Sequence, residues 1–147
     1  MYLCIAGIPM NEKQLTTILN ARSVKPTAMR LLVLDMLARQ ETAISLSDLE
    51  EQFDKVDKVT LYRTLKTFEQ HKIIHSIDDG TGSAKYALCS EGCECNPGDL
   101  HVHFHCQLCK RTFCLTEYTI PAINLPHKFI LKEMNMVLKG LCEDCSN

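Results

Sequence analysis

The segment KVTLYRTLKTFEQHKIIHSIDDGTGSAKYAL, residues 58–88, decides the fold of the chain. Leu61, Leu65 and Phe68 stand at positions i, i+4 and i+7, which is the apolar stripe of an amphipathic helix. Two short runs follow at 73–77 and 85–88, and the DDGTGS sequence between them predicts a tight turn. A helix followed by a hairpin is typical of the second half of a winged helix-turn-helix domain.

The residues before this segment predict the helices that such a domain requires. Residues 11–21 carry a periodic apolar face, and residues 28–39 are apolar around most of a helix, as expected of a core helix. A short helix, SDLEEQF, precedes the segment 58–88. Side chains that accept hydrogen bonds are placed to cap these helices: Thr27, Ser45 or Ser47, and Asp57.

The stretch CSEGCECNPGD at 89–99 is rich in cysteine, glycine and proline and marks a boundary. The prediction is therefore an α+β protein with a winged helix-turn-helix domain at 1–88, a hinge at 89–99 and a small C-terminal α/β domain at 100–147. In the last of these, HVHFHCQ and RTFCL alternate as strands do, whereas the two prolines of TIPAINLP exclude a long helix.

Composition limits the classes of function. Of 147 residues, 46% are hydrophobic, which is enough for a packed core, and the formal net charge of -2 means that any DNA contact must rest on a local surface. No apolar run reaches the length of a membrane span. The opening MYLCIAGIPM lacks the features of a signal peptide, which predicts a cytoplasmic protein; Met10 is a candidate for the biological start.

The strongest chemical signal is a pair of Cys-x2-Cys motifs, Cys106 with Cys109 and Cys142 with Cys145. Each motif aims two thiolates at one point, and two motifs together give the closed tetrahedral S4 set of structural zinc. Such a site keeps no open position for water, which argues against an enzyme. The alternative is two unrelated redox pairs, which the spacing disfavours.

A second signal is the alternation His101-x-His103-x-His105 beside Cys114. Residues two apart on a strand share one face, so the imidazoles would point one way while Val102 and Phe104 point into the core. Cys114 lies on the next predicted strand. Clustered His and Cys side chains are typical transition-metal ligands, although a solvated histidine face remains the alternative.

A third and weaker signal is the polar face of the helix at 58–71, which offers Thr60, Tyr62, Arg63, Thr64 and Lys66. Arginine reads guanine in the major groove or holds a phosphate, and tyrosine meets a thymine methyl or a phosphate. Most basic residues on a helix face are merely solvated, so this signal alone decides little.

Together these motifs resemble the ferric uptake regulator family over almost the whole chain, from about residue 12 to residue 145. The matching segments are VKPTAMR (24–30), KVTLYRTLKTFEQHKII (58–74), HVHFHCQLC (101–109) and GLCEDC (140–145), in the family's order. The resemblance implies a homodimeric, metal-dependent repressor whose C-terminal domain dimerises and whose operator DNA is pseudo-palindromic. The corepressor metal would bind between the two domains.

Carried over by position, the resemblance implies roles for individual residues. Structural zinc would be held by the four cysteines of the paired motifs. The regulatory metal would be held by His101, His103 and Cys114, with Cys89 and His75 as further candidates. The expected DNA contacts are Lys25, Thr60, Tyr62 and Arg63.

The chain departs from the iron sensors of the family at two ligand positions. They carry a histidine before the short third helix and a carboxylate after the wing, where this chain has Ala43 and Ala87. Because thiolates select zinc over the harder iron site of oxygen and nitrogen ligands, Cys89 and Cys114 favour Zn²⁺ as the regulatory metal, with Fe²⁺ or Mn²⁺ as alternatives. Cys4, Cys93 and Cys95 receive no assigned role.

Three other functions stay open. An iron or peroxide sensor of the same fold would need a site richer in His and Asp. A zinc-stabilised protein-interaction module would have no duplex affinity. A zinc hydrolase would need an open three-ligand site with a nearby general base such as Glu94 or Glu117, which no motif positions.

Overall fold

The computed structural model describes residues 7, 9–89 and 100–147. Its N-terminal part contains four helices: α1 (Glu12–Ala21), α2 (Ala28–Ala38), α3 (Leu46–Glu51) and α4 (Lys58–Gln70). Strands β1 (Ile44–Ser45), β2 (Ile74–Ile77) and β3 (Lys85–Leu88) form an antiparallel sheet in the order β1-β3-β2. This is the predicted winged helix-turn-helix, in which β2 and β3 form the wing.

Capping side chains fix where these helices begin. Asn11, Thr27, Ser45 and Asp57 each accept a hydrogen bond from a backbone N–H in the first turn of the helix that follows. Such a cap satisfies one of the N–H groups that a helix start leaves without a partner. The predicted caps at Thr27 and Asp57 are confirmed, and Ser45 rather than Ser47 caps α3.

The main core lies between the helices and the wing sheet. Its largest fully buried side chains include Leu19, Leu34, Leu49, Leu61, Leu65 and Phe68. The stripe on α4 is therefore buried as predicted. Thr64 is also buried, contrary to its assignment to the polar face, and its hydroxyl donates to the carbonyl of Thr60, one turn earlier.

The C-terminal part is a second sheet of three strands: β4 (His101–Cys106), β5 (Thr112–Thr119) and β6 (Val137–Gly140). β4 is central, antiparallel to β5 and parallel to β6. A single 3-10 turn, Glu143–Cys145, supplies the helical content described after residue 100. Residues 120–136 form an exposed connection without regular structure, and its first half contains the two prolines that excluded a long helix.

The two parts meet along a small apolar cluster of Ala43, Ile77, Ala87 and Cys114, with Val137 packed against it. The backbone N–H of Ala43 also donates to the carbonyl of Thr112 at 2.9 Å. Most of the predicted hinge, with Cys93, Cys95 and Glu94, lies outside the described residues, as does Cys4. Within the described ranges, no helix has the length and apolar character needed to cross a membrane.

Candidate metal centres

The four cysteines of the paired motifs come together at one end of the C-terminal sheet. Their sulfur atoms all lie within 4.8 Å of one another. The topology explains this meeting. β4 ends at Cys106 beside Gly140, the last residue of the parallel strand β6, so the chain delivers Cys142 to Cys106. The backbone N–H of Cys142 donates to Cys106 Sγ at 3.4 Å.

The electrostatics of this cluster suit a divalent cation. Burial raises the pKa of Cys106, but hydrogen bonds from the backbone of Cys109 and Cys142 lower it to about 5. The hydrogen bond with Cys142, together with burial, raises the pKa of Cys145 to about 12. Thiolates so close together repel one another, and a metal ion removes that repulsion because it holds all of them deprotonated.

Arg111 was not singled out by the sequence and links the two cysteine pairs. Its Nε donates to Cys109 Sγ at 3.3 Å, and its terminal nitrogen donates to Asp144 at 2.6 Å. The bond to Arg111 lowers the pKa of Cys109. Four thiolates around Zn²⁺ carry a net negative charge, which this guanidinium offsets. The sequence signal that could have identified Arg111 was its position two residues after Cys109.

A second cluster lies between the two sheets. One ligand atom each from His75, His101, His103 and Cys114 lies within 4.8 Å of the others. His75 is on wing strand β2, whereas the other three belong to β4 and β5 of the C-terminal sheet. His103 and Cys114 are paired residues of neighbouring strands. We call this cluster the interdomain site.

Distances within the interdomain site are those of side chains converging on a point. His75 Nε2 lies 3.3 Å from His103 Nε2 and 3.7 Å from Cys114 Sγ. The ring centroids of His101 and His103 are 4.6 Å apart. Among the described residues, the buried His101 Nε2 and His103 Nδ1 have no hydrogen-bond partner, and such unsatisfied nitrogens fit metal ligands.

Burial keeps these imidazoles neutral. It lowers the pKa of His75 to about 4 and that of His103 to about 3, and the neighbouring His101 adds to both shifts. Burial also lowers the pKa of His101. Neutral imidazoles keep the lone pair that binds a metal, so the site is ready to coordinate at neutral pH.

Cys89 lies on the opposite side of the His75 ring. Its Sγ is 3.6 Å from His75 Nδ1, whereas Nε2 faces His103 and Cys114. Within the described residues, Cys89 is therefore outside the group of four converging ligand atoms. His105 shares the strand face of His101 and His103 but bonds to Thr112 instead. Of the two residues predicted to point into the core, Val102 is buried and Phe104 is half-buried.

The candidate DNA-contacting residues occupy two places on the helical surface. Tyr62 and Arg63 are exposed on α4, and Lys25 is exposed before α2. Lys66 Nζ lies 5.6 Å from the centroid of the Tyr62 ring. The Thr60 hydroxyl donates to Asp57 at 2.8 Å, so that side chain already serves the helix start.

Comparisons with known proteins point to one family. A model of the ferric uptake regulator family matches residues 21–140. The ferric uptake regulation protein of Bordetella parapertussis is 30% identical over 134 residues, covering 83% of this chain and 89% of that protein. The corresponding protein of Bacillus subtilis is 26% identical over 119 residues, covering 76% and 77%.

Two solved structures share the fold. A zinc uptake regulator complexed with zinc and DNA superposes with a TM-score of 0.66 at 24% identity, covering 92% of each chain. The Vibrio cholerae ferric uptake regulator superposes with a TM-score of 0.60 at 18% identity, covering 86% of this chain and 98% of that one.

Proposed function

This chain belongs to the ferric uptake regulator family, and from that premise we propose that it is a zinc-responsive, DNA-binding repressor of metal-uptake genes. Members of this family are metal-responsive transcription regulators rather than enzymes. The observation that carries the zinc-responsive part is the interdomain site. One of its ligands comes from the wing of the DNA-binding domain and three come from the C-terminal sheet.

The ligand set supports zinc over iron. A thiolate with imidazoles suits Zn²⁺, whereas the iron sensors rely on further nitrogen and oxygen ligands. At the two positions where this chain departs from those sensors, Ala43 and Ala87 lie buried in the apolar cluster that includes Cys114. No oxygen ligand is available from either side chain.

The position of the site supports a switch. Zinc bound there would join the wing to the C-terminal sheet and so favour one interdomain arrangement. A ligand that prefers one arrangement shifts the population towards it, and a change from mostly off to mostly on requires about 5.5 kcal/mol of differential binding. Cys89 is placed to orient His75 through Nδ1 or to join the ligands if the ring turns.

DNA recognition is assigned to α4. Its exposed Tyr62 and Arg63 lie outside the buried stripe, with Lys25 as a further contact. Thr60 supports this surface mainly by fixing the start of α4 through Asp57. Two copies related by a two-fold axis would present two such helices, which predicts a pseudo-palindromic operator.

The homodimer is assigned to the C-terminal part. Exposed large apolar side chains are concentrated there: Ile123, Leu125, Phe129, Ile130, Leu131, Leu138 and Leu141. Apolar side chains gathered in one region of a surface mark an interaction site, and a second copy of the chain is the occupant that the family implies. The cysteine cluster would stabilise this part by holding its last turn to β4 through Zn²⁺.

The proposal is tested by metal analysis of the purified wild-type chain, followed by DNA titration with added zinc, ferrous iron or manganese. We expect one tightly held zinc per chain and a second zinc that binds reversibly and raises operator affinity more than the other metals do. A response to iron or manganese without a response to zinc would overturn the zinc assignment. Absence of duplex binding with every metal would favour an interaction module.

A further inference from the structure

The turn that follows β2 packs against the C-terminal sheet, close to the interdomain site. The carbonyl of Asp78 accepts a hydrogen bond from Asn135 Nδ2 at 2.8 Å. Gly80 has a φ of +81° and approaches Lys139 so closely that an added Cβ would lie 2.6 Å from its Nζ. A wing turn is ordinarily solvated, so these contacts mark a docked turn.

Asp79 is the centre of this contact. Only 1% of the residue is exposed, although it lies in a turn between two strands. Its Oδ2 accepts from Lys85 Nζ at 3.2 Å and, across the domain interface, from Thr112 Oγ1 at 2.7 Å. Its Oδ1 accepts from the backbone N–H and the hydroxyl of Thr81. Burial raises the pKa of this carboxyl, but the hydrogen bonds hold it well below its ordinary value.

The hydrogen bonds continue from Asp79 into the strand that carries the histidines. His105 Nδ1 lies 2.9 Å from Thr112 Oγ1. Since the single hydroxyl proton of Thr112 goes to the Asp79 carboxylate, His105 must donate to Thr112. The chain of donors therefore runs from β4 through β5 to the wing.

This network runs parallel to the interdomain site. Thr112 is two residues before Cys114, His105 is two residues after His103, and Asp79 is four residues after His75. Residues two apart on a strand share a face, so the network and the site occupy neighbouring positions on the same sheet surface. Both join the wing to β4 and β5, and the network does so through hydrogen bonds that need no metal.

We propose that Asp79, acting through Thr112, is a positioning residue that holds the wing against the C-terminal sheet so that His75 meets its partner ligands before zinc arrives. This inference rests on the proposed function of the interdomain site. A site assembled in advance binds more tightly because the ligand spends less of its binding energy on ordering the protein. Within the described residues, the carboxylate of Asp79 contacts Thr81, Lys85, Thr112 and His105, none of which is a candidate metal ligand.

The test compares two threonines that donate to the same carboxylate. Thr112→Val removes the hydrogen bond that Asp79 accepts from Thr112 across the interface, with almost no change of shape on β5. Thr81→Val is the matched control, because it removes a bond made within the wing. Thr112→Ser restores the donor. The affinity for the second zinc is measured by competition with a chromophoric chelator, and the thermal unfolding of each variant is recorded without added zinc.

We expect Thr112→Val to keep the tightly held zinc but to bind the second zinc about tenfold more weakly, which corresponds to about 1.4 kcal/mol. Thr81→Val should change that affinity by less than about twofold, and Thr112→Ser should recover most of it. If Thr112→Val binds the second zinc as wild type does, or if Thr81→Val weakens it equally, the positioning role is wrong while the proposed function stands. A wild-type chain that takes up no second zinc would overturn both.

Discussion

The two candidate metal-ligand clusters of this protein differ in which parts of the chain they join. The cysteine cluster draws all four ligands from residues 106–145 of the C-terminal part, whereas the interdomain site combines one wing residue, His75, with three from the C-terminal sheet. A metal held within one folded unit adds to the stability of that unit. A metal held between two units changes how they are arranged, because only one arrangement completes the site.

The ligand types of the two clusters differ in the same sense. Four thiolates with Arg111 and backbone donors around them suit permanent, closed zinc coordination. Three imidazoles kept neutral by burial, with one thiol, suit a metal whose occupancy varies with its supply. Whether a bound metal stays permanently or varies with its supply therefore depends on the position of the site in the fold as much as on the type of its ligands.

The largest effect is expected from removing the cysteine cluster. Cys142→Ser should lose the tightly held zinc and the dimer, because structural zinc contributes on the order of 10 kcal/mol to folding in small zinc domains. Zinc content by elemental analysis and mass by light scattering provide the measurements. Cys114→Ser, which changes the other cluster, is the matched control and should keep both. A Cys142→Ser chain that stays folded, dimeric and zinc-loaded would refute the structural assignment.

A smaller effect is expected from changing the proposed DNA-contacting surface of α4, which lies outside both clusters. Arg63→Ala should weaken operator binding by about 1–3 kcal/mol if the guanidinium reads a base. Zinc occupancy should not change. Arg39→Ala removes the same charge at the exposed end of α2 and serves as control in a fluorescence anisotropy titration. Equal operator affinities of Arg63→Ala and wild type would show that α4 is not used in this way.

The smallest effect is a loss of protein stability at acidic pH when the interdomain site holds no metal. In the unfolded chain, His75 and His103 would take up protons near pH 6.5, but burial in the fold lowers their pKa values to about 4 and 3. As pH falls below about 6.5, the unfolded state therefore binds more protons and the free energy of unfolding decreases. The limit is about 1.4 kcal/mol per pH unit for each histidine.

Urea unfolding between pH 7 and pH 5.5, with zinc bound to the cysteine cluster, measures how steeply the free energy of unfolding depends on pH. His103→Gln should reduce this slope. His127→Gln makes the same chemical change on the exposed connection and is the matched control. An unchanged slope in His103→Gln would mean that this imidazole is not buried in solution as the structure has it.

Much of the fold could be predicted because its signals are local. Thr27 and Asp57 were predicted as helix caps because each is a polar acceptor directly before a periodic apolar run. The wing was predicted because two β-prone runs have a turn between them. The pairing of His103 with Cys114 was expected because both lie on neighbouring strands joined by a short connection. β1 has only two residues, too few to show any periodicity, and was missed.

Other features depend on contacts between distant segments. Nothing in DDGTGS distinguishes a solvated turn from one in which Asp79 is buried against Thr112, because the deciding partner lies on another domain. The meeting of His75 Nε2 with His103 and Cys114 depends on how the wing packs against the C-terminal sheet. The contact of Arg111 with the second cysteine pair exists only because β6 returns Cys142 to the end of β4.

The central claim, that metal in the interdomain site controls DNA binding, is tested most directly by the double variant His103→Ala, Cys114→Ser. Operator affinity is measured with and without added zinc, beside wild type and a His127→Ala control. The variant should keep its tightly held zinc and its dimer, yet its operator affinity should no longer rise when zinc is added. If its affinity rises with zinc as that of wild type does, the sensor lies elsewhere in the chain and the account is contradicted.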